Sequence, residues 1–394
     1  MPQVLQASNS VPVSSWFPDF LISLLLVFLL AFICGHLFLV VGSTLLKKLG
    51  IGIIGSGGIA RGAHLPGYKA CAERGVEVVA CSDINPDVAR KLADDFEIPH
   101  VFTDYRKMLE LDDVDAVSIC TPNYLHLQPT IDALEAGKHV LVEKPLAMNA
   151  TEGKAMVAAA HRTGKKLQVG FMTRFLAPAQ ALKRFIDAGE MGEIYFARAQ
   201  AMRRRGIPGW GVFTQKDKQG GGPLIDIGVH ILDLTLWLMG HPRPTHVSGQ
   251  TYAKFGSRPG VLGLMGQWDH TNFTVEDFAI GMVRFENGAT LVLESAFVAN
   301  QEQRSVFNAD LFGSEGGCSY DPCKMFFERN QTLIDASPVY LPELKGHLEE
   351  IRAFVNAILD DTPVPVTGEE ALMTTQIIDA IYRSSELGHE VPVE

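Results

Sequence analysis

Lys144, Asp226 and His230 have side chains of the types that proton transfer requires. Neutral imidazole accepts a proton near pH 7, and an ammonium or carboxylate beside it can hold or relay that proton. Asp226 and His230 lie in GGGPLIDIGVHILDLTLWLMG, residues 220–240, where apolar residues from Ile227 to Leu238 recur at helical spacing. Their separation of four places both on one helix face near its start. The same pair can arise as an Asp cap followed by a core histidine, and no metal site is expected there. Lys144 belongs to EKPLA, residues 143–147, which reads as an exposed stop after a strand or as a charged group brought to the edge of a site.

A second kind of chemistry is suggested by IGIIGSGGIAR, residues 51–61, where glycines follow an apolar run of strand length and precede a helix. In G-x-G-x-x-A, Gly55 permits the tight turn, Gly57 lets the backbone approach a pyrophosphate, and Ala60 lets helix and strand pack closely. Gly58 and Ile59 complete that loop, and the diphosphate of a dinucleotide would rest on the helix N-terminus. VEVVACSD, residues 76–83, is a second strand ending in Asp83, where an acid would accept hydrogen bonds from an adenosine ribose and repel a 2'-phosphate. NAD is therefore expected over NADP, the alternative being that Asp83 only caps the helix beginning near Pro86.

The elements around these motifs alternate strand and helix from residue 49 to about 170. Strands near 49–54, 76–83, 101, 116–120, 139–143 and 166–170 alternate with helices near 60–73, 86–96, 105–111, 126–136 and 151–163, a doubly wound parallel sheet. In such sheets the ligand crevice lies beyond the carboxyl ends of the strands. That rule selects CTPNYLH, residues 120–126, with Thr121, Pro122, Asn123 and His126, and the Glu143-Lys144 turn as the cofactor's neighbours. Later, GMVRFENGATLVLESAF alternates apolar and polar residues about Asn287-Gly288, a strong hairpin signal, and residues 344–387 read as two helices separated by DDTPVPVTG.

Taken together, GSGGIA, Ser82-Asp83, CTPNYLH, EKPLA, GFMTRF at 170–175 and GGGPLIDIGVH at 220–230 resemble the glucose-fructose oxidoreductase / inositol dehydrogenase / MocA (Gfo/Idh/MocA) family from about residue 47 to the C-terminus. The resemblance implies an N-terminal Rossmann domain at 49–172 and a C-terminal α/β domain at 173–394 with a large, mostly antiparallel sheet. It implies hydride transfer between NAD and a secondary hydroxyl or ketone of a sugar or polyol, with His230 as acid-base group, Lys144 orienting the substrate and Asp226 tuning the pair. It also implies a homo-oligomer. Arg174, and Arg204 and Trp210 in RRRGIPGWGVF, are candidate substrate contacts. An NAD-dependent glycosidase without net redox change and an inert NAD-binding sensor are the alternatives.

The bulk of the chain agrees with a globular enzyme: 394 residues, 47% hydrophobic and 20% charged. A net charge of -11 and a pI near 5.6 argue against nucleic-acid partners, because backbone binding needs clustered Lys and Arg. Cys71, Cys81 and Cys120 sit in or beside apolar runs and read as reduced core thiols; Cys318 and Cys323 could form a local disulfide or half a metal site. Residues 1–48 form an extension in which no Asp, Glu, Lys or Arg occurs between Phe20 and Leu46. That segment is long enough to span a bilayer, and Lys47 and Lys48 after it predict a single-pass anchor with the catalytic body in the cytoplasm. The alternative is a cytoplasmic protein beginning at Leu46 through an alternative start codon.

Overall fold

The computed structural model describes residues 48–394, so the expected membrane helix at 20–46 lies outside the described residues. Each strand of the first half is short, apolar and followed by a helix, so both faces of its sheet can be covered. Six parallel strands result, β1 Leu49–Ile54, β2 Val76–Ser82, β3 His100–Phe102, β4 Ala116–Ile119, β5 His139–Glu143 and β6 Leu167–Gly170, in the order β3-β2-β1-β4-β5-β6. The order reverses between β1 and β4, which opens a crevice at their carboxyl ends. Every residue of β1 is buried, as a central strand flanked by helices requires.

The expected helix at 60–73 is instead three pieces: a π-type turn Ala60–His64, a helix Leu65–Lys69 with Pro66 in its first turn, and a 3-10 turn Ala72–Arg74. Pro66 lacks the N–H an interior helical position would donate, and Gly75 at φ +79° ends the last turn.

The second sheet contains β7 Ile194–Arg203, β8 Pro244–Tyr252, β9 Phe278–Phe285, β10 Thr290–Ala296, β11 Ser305–Gly313, β12 Gly316–Ser319, β13 Lys324–Arg329, β14 Thr332–Ala336 and β15 Val391–Pro392. Its order is β14-β13-β12-β11-β7-β10-β9-β8-β15, antiparallel except for the parallel pair β7 and β10. β9 and β10 form the expected hairpin, with Gly288 at φ +87° and the Asn287 side chain accepting from the Ala289 N–H. Residues 216–238 are the described helical stretch that is long and apolar enough to cross a membrane, but the most apolar 18 residues within it are 89% buried against this sheet and the surrounding core.

The C-terminal helices tie the two sheets together. Ile351, Phe354 and Val355 of the helix Gly346–Leu359 join Leu49, Ile51 and Ile53 in one core, so this late segment covers a face of the first sheet. Burying each such side chain contributes about 1.5–3 kcal/mol. Cys71, Cys81, Cys120, Cys318 and Cys323 are all unbonded thiols, and the first four are buried.

Candidate active site

Gly55 ends β1 at φ +91°, and a Cβ there would stand 2.7 Å from the Cys120 carbonyl oxygen, so this turn requires glycine twice over. Beyond it, added Cβ atoms on Gly57 and Gly58 would meet nothing within 4 Å, leaving open a backbone cradle that side chains would fill. The Asp83 carboxylate accepts from the Ser56 N–H at 2.9 Å and, through its other oxygen, from Asn85 N–H at 2.9 Å. Asn85, not Asp83, caps the helix Pro86–Phe96. A carboxylate fixed beside an open glycine cradle fits an adenosine ribose and its diphosphate, so these residues match NAD.

Ile59 and Ala60 begin the π-type turn, and this turn also delivers His64 to the interior. His64 Nε2 lies 2.9 Å from the Glu143 carboxylate and Nδ1 lies 3.0 Å from Ser118 Oγ, which in turn lies 2.6 Å from the Tyr68 hydroxyl. Burial works against the imidazolium, yet interactions with Cys120 and Glu143 hold His64 well above the usual imidazole range. Glu143 is pulled down to about 2, His64 outweighing the burial that opposes its charge. This buried pair joins the glycine turn to the strand end that carries Lys144. Sequence reading missed His64; its only local signal is a polar residue set between Ala63 and Leu65.

His126 is fully buried with Nδ1 2.8 Å from the Pro145 carbonyl and Nε2 2.9 Å from the Thr121 carbonyl, so its ring braces the two loops against each other. Thr121 Oγ1 donates to the Leu125 carbonyl within the same loop, which Pro122 enters in extended conformation. Asn123 Nδ2 donates to the Gln219 carbonyl at 2.9 Å, reaching the chain just before the second motif.

Lys144, Asp226 and His230 converge. Lys144 Nζ donates to Asp226 Oδ1 at 3.1 Å and to the Asp226 carbonyl at 3.0 Å. Asp226 lies on a π-type turn, Leu224–Gly228, that runs into the helix Val229–Leu238 bearing His230. All three line a cavity of about 400 Å³, with Met172, Thr173, Arg203, Ser305, Phe307 and Tyr320 among its other walls. Its size suits a small polar ligand. His230 makes no hydrogen bond to the described residues, and its Nδ1 is buried, which leaves Nε2 as the nitrogen the cavity can reach. Burial first, then the Lys144 charge, pushes His230 well below the usual imidazole range, so the ring is neutral at pH 7.

The three expected substrate contacts are placed elsewhere. Arg174 is buried, bonded to Asp233 at 2.8 and 2.6 Å and to Glu370 at 2.6 Å, so its donors are already occupied. Arg204 donates to the Glu302 carbonyl and Trp210 is 56% exposed against Phe213; neither lines the cavity. The neighbour Arg203, at the end of β7, is the arginine that does.

The helix Gly346–Leu359 buries Glu350 within electrostatic reach of Glu143 and His64; its carboxylate oxygens accept no hydrogen bond from the described residues, and His347 Nδ1 lies 3.5 Å from one of them. Burial pushes Glu350 up to about 7 from 4.5. Between those values the native chain holds a proton that the unfolded chain has released, so stability falls as pH rises through this window. Glu350→Gln is expected to flatten that slope and to stabilise the protein by about 3 kcal/mol at pH 8, read from urea midpoints at pH 5 and pH 8. An unchanged slope would assign the pH dependence to other groups.

A glycine cradle for a dinucleotide, on a chain that also brings a lysine, an aspartate and a neutral histidine into one cavity, defines an NAD-dependent oxidoreductase. The chain belongs to the Gfo/Idh/MocA family: residues 49–171 match its NAD-binding Rossmann-fold oxidoreductase domain and residues 179–319 match a GFO/IDH/MocA C-terminal domain. D-glucoside 3-dehydrogenase of Escherichia coli K12 is 36% identical over 345 residues, 88% of this chain and 97% of that protein. Levoglucosan dehydrogenase of Pseudarthrobacter phenanthrenivorans is 30% identical over 301 residues, 70% of this chain and 74% of that one. A levoglucosan dehydrogenase structure in complex with NADH and levoglucosan superposes with a TM-score of 0.77 at 25% identity, covering 88% of this chain and 100% of that one.

Proposed function

We propose that the protein oxidises a secondary hydroxyl of a sugar or sugar derivative, or reduces the matching ketone, with Lys144, Asp226 and His230 as its catalytic residues. The carrying observation is the meeting of these three side chains in one cavity. Bound NAD supplies the hydride acceptor. His230 Nε2, held neutral, takes the hydroxyl proton as the carbonyl forms and returns it in the reverse direction. Lys144 Nζ donates to the reacting oxygen and stabilises the negative charge that builds there. Asp226 keeps that ammonium aimed through its carboxylate and its backbone carbonyl. Gly55, Gly57, Gly58, Ile59, Ala60 and Asp83 would hold the dinucleotide, with Thr121, Pro122, Asn123, His126 and Glu143 shaping the neighbouring loops.

The test is NADH formation across neutral glycosides, inositols and sugar acids with NAD or NADP. Released NADH with at least one sugar, and NAD preferred, is expected. Glycoside cleavage without NADH release, or NAD binding without turnover, would replace this reading with the hydrolytic or the sensor alternative.

The chain acts as a homo-oligomer in this reading, supported by Tyr195, Phe312 and Phe326, apolar residues exposed on the second sheet. A monomeric mass in solution would overturn that. The uncharged run from Phe20 to Leu46 supports a membrane anchor with the catalytic body in the cytoplasm. Recovery of the full-length chain in the soluble fraction would favour the cytoplasmic alternative.

A further inference from the structure

Arg203 presents a cation to the cavity that the described residues leave largely unanswered. A guanidinium carries five N–H donors in a planar fork. One of its nitrogens, Nη1, donates to the Gly206 carbonyl at 3.1 Å; among the described residues its other nitrogens have no hydrogen-bond partner and no carboxylate lies within ion-pair distance. The guanidinium is held by a cation–π contact, its carbon 5.8 Å from the Phe297 ring centre, and Arg203 pairs in register with Ser305, another cavity residue. A Cβ on Gly206 would stand 2.4 Å from Arg203 Cδ, so glycine there leaves room for the arginine stem to fold back.

Asp226 is ion-paired with Lys144 and His230 is neutral, so among the described cavity residues Arg203 is a cation without an ion-pair partner, with Asp226 acting on it only from a distance. Partly desolvated arginine without an acid costs stability unless a ligand's oxygens complete the fork. Burial lowers the Arg203 pKa, an effect only partly offset by the Asp226 charge. At this position Phe297 and the Gly206 carbonyl orient the arginine without consuming most of its donors.

We infer that Arg203 is a specificity-determining residue that grips two neighbouring oxygens of the substrate, from a carboxylate or from a pair of vicinal hydroxyls. This rests on the sugar reading of the cavity. The fork orients the sugar so that a different hydroxyl meets Lys144 and His230.

The experiment is calorimetric binding of methyl glucoside and methyl glucuronide to the NADH-loaded full-length chain, wild type beside Arg203→Gln and Arg203→Lys. Urea midpoints and NADH affinity of each variant serve as folding controls. At least a tenfold loss of affinity in Arg203→Gln is expected for whichever probe the wild type binds, with NADH affinity unchanged. Arg203→Lys keeps the charge and loses the fork, so retained glucuronide binding identifies a carboxylate and lost glucoside binding identifies a diol. Affinity within twofold of wild type in a folded Arg203→Gln variant, or no binding of either probe by wild type, would overturn the assignment. Arg203-dependent binding without NADH formation from any sugar would leave this inference standing and remove the dehydrogenase reading.

Discussion

Lys144→Ala is expected to lower kcat for sugar oxidation by about 10² to 10⁴ while leaving NADH affinity within a few-fold of wild type. The lysine meets Asp226 at the cavity edge and is separate from the glycine turn that would hold the dinucleotide. Its loss also removes a charge that depresses the His230 pKa, although burial, the larger cause, remains. The acidic limb of the residual activity is therefore expected to move to higher pH, because a base with a raised pKa needs a higher pH to be free. Steady-state rates from pH 5 to 9, with NADH binding by fluorescence, read both effects. Turnover within tenfold of wild type would remove Lys144 from the chemistry.

Arg174→Met is expected to destabilise the fold by about 3–5 kcal/mol. Arg174 and Asp233 are both buried, and two hydrogen bonds join them; the variant would strand the Asp233 carboxylate away from water. Burial already pushes Asp233 up, and only Arg174 counters it. The same guanidinium reaches Glu370, so the loss also loosens the helix Gly368–Leu387 from the helix Val229–Leu238. The double variant Arg174→Met with Asp233→Leu is expected to recover most of the loss, since no charge is then left buried. Urea unfolding of the three proteins measures this, and a single variant as stable as wild type would show the pair to contribute nothing net.

Much of the first sheet was legible because its signals are local. The apolar run at 49–54, the glycines after it, Asp83 at the next strand end and the alternation to residue 170 each act within a few residues. The Asn287-Gly288 hairpin was equally readable, since left-handed turn geometry favours Gly. The stretch 60–73 reads as one helix in the sequence and is three pieces in the structure. Its residues favour helix, but a π-type turn sets His64 against Glu143 and a turn at Ala70 and Cys71 separates the last piece, and sequence spacing does not encode that partner.

Sequence by itself determined the residue types of the proposed chemistry and the order of elements that carries them. Only the tertiary structure decided that Lys144 touches Asp226 across eighty-two positions, that Arg174 is consumed by Asp233, and that Arg203 faces the cavity. It also decided that the helix Gly346–Leu359 packs on β1 and brings Glu350 within reach of Glu143 and His64. Helical and strand periods follow from backbone geometry within a few residues, whereas these contacts depend on how two sheets and the last helices close on one another. A buried arginine and a cavity-facing arginine read alike as letters, and only the surrounding atoms settle which donors remain free.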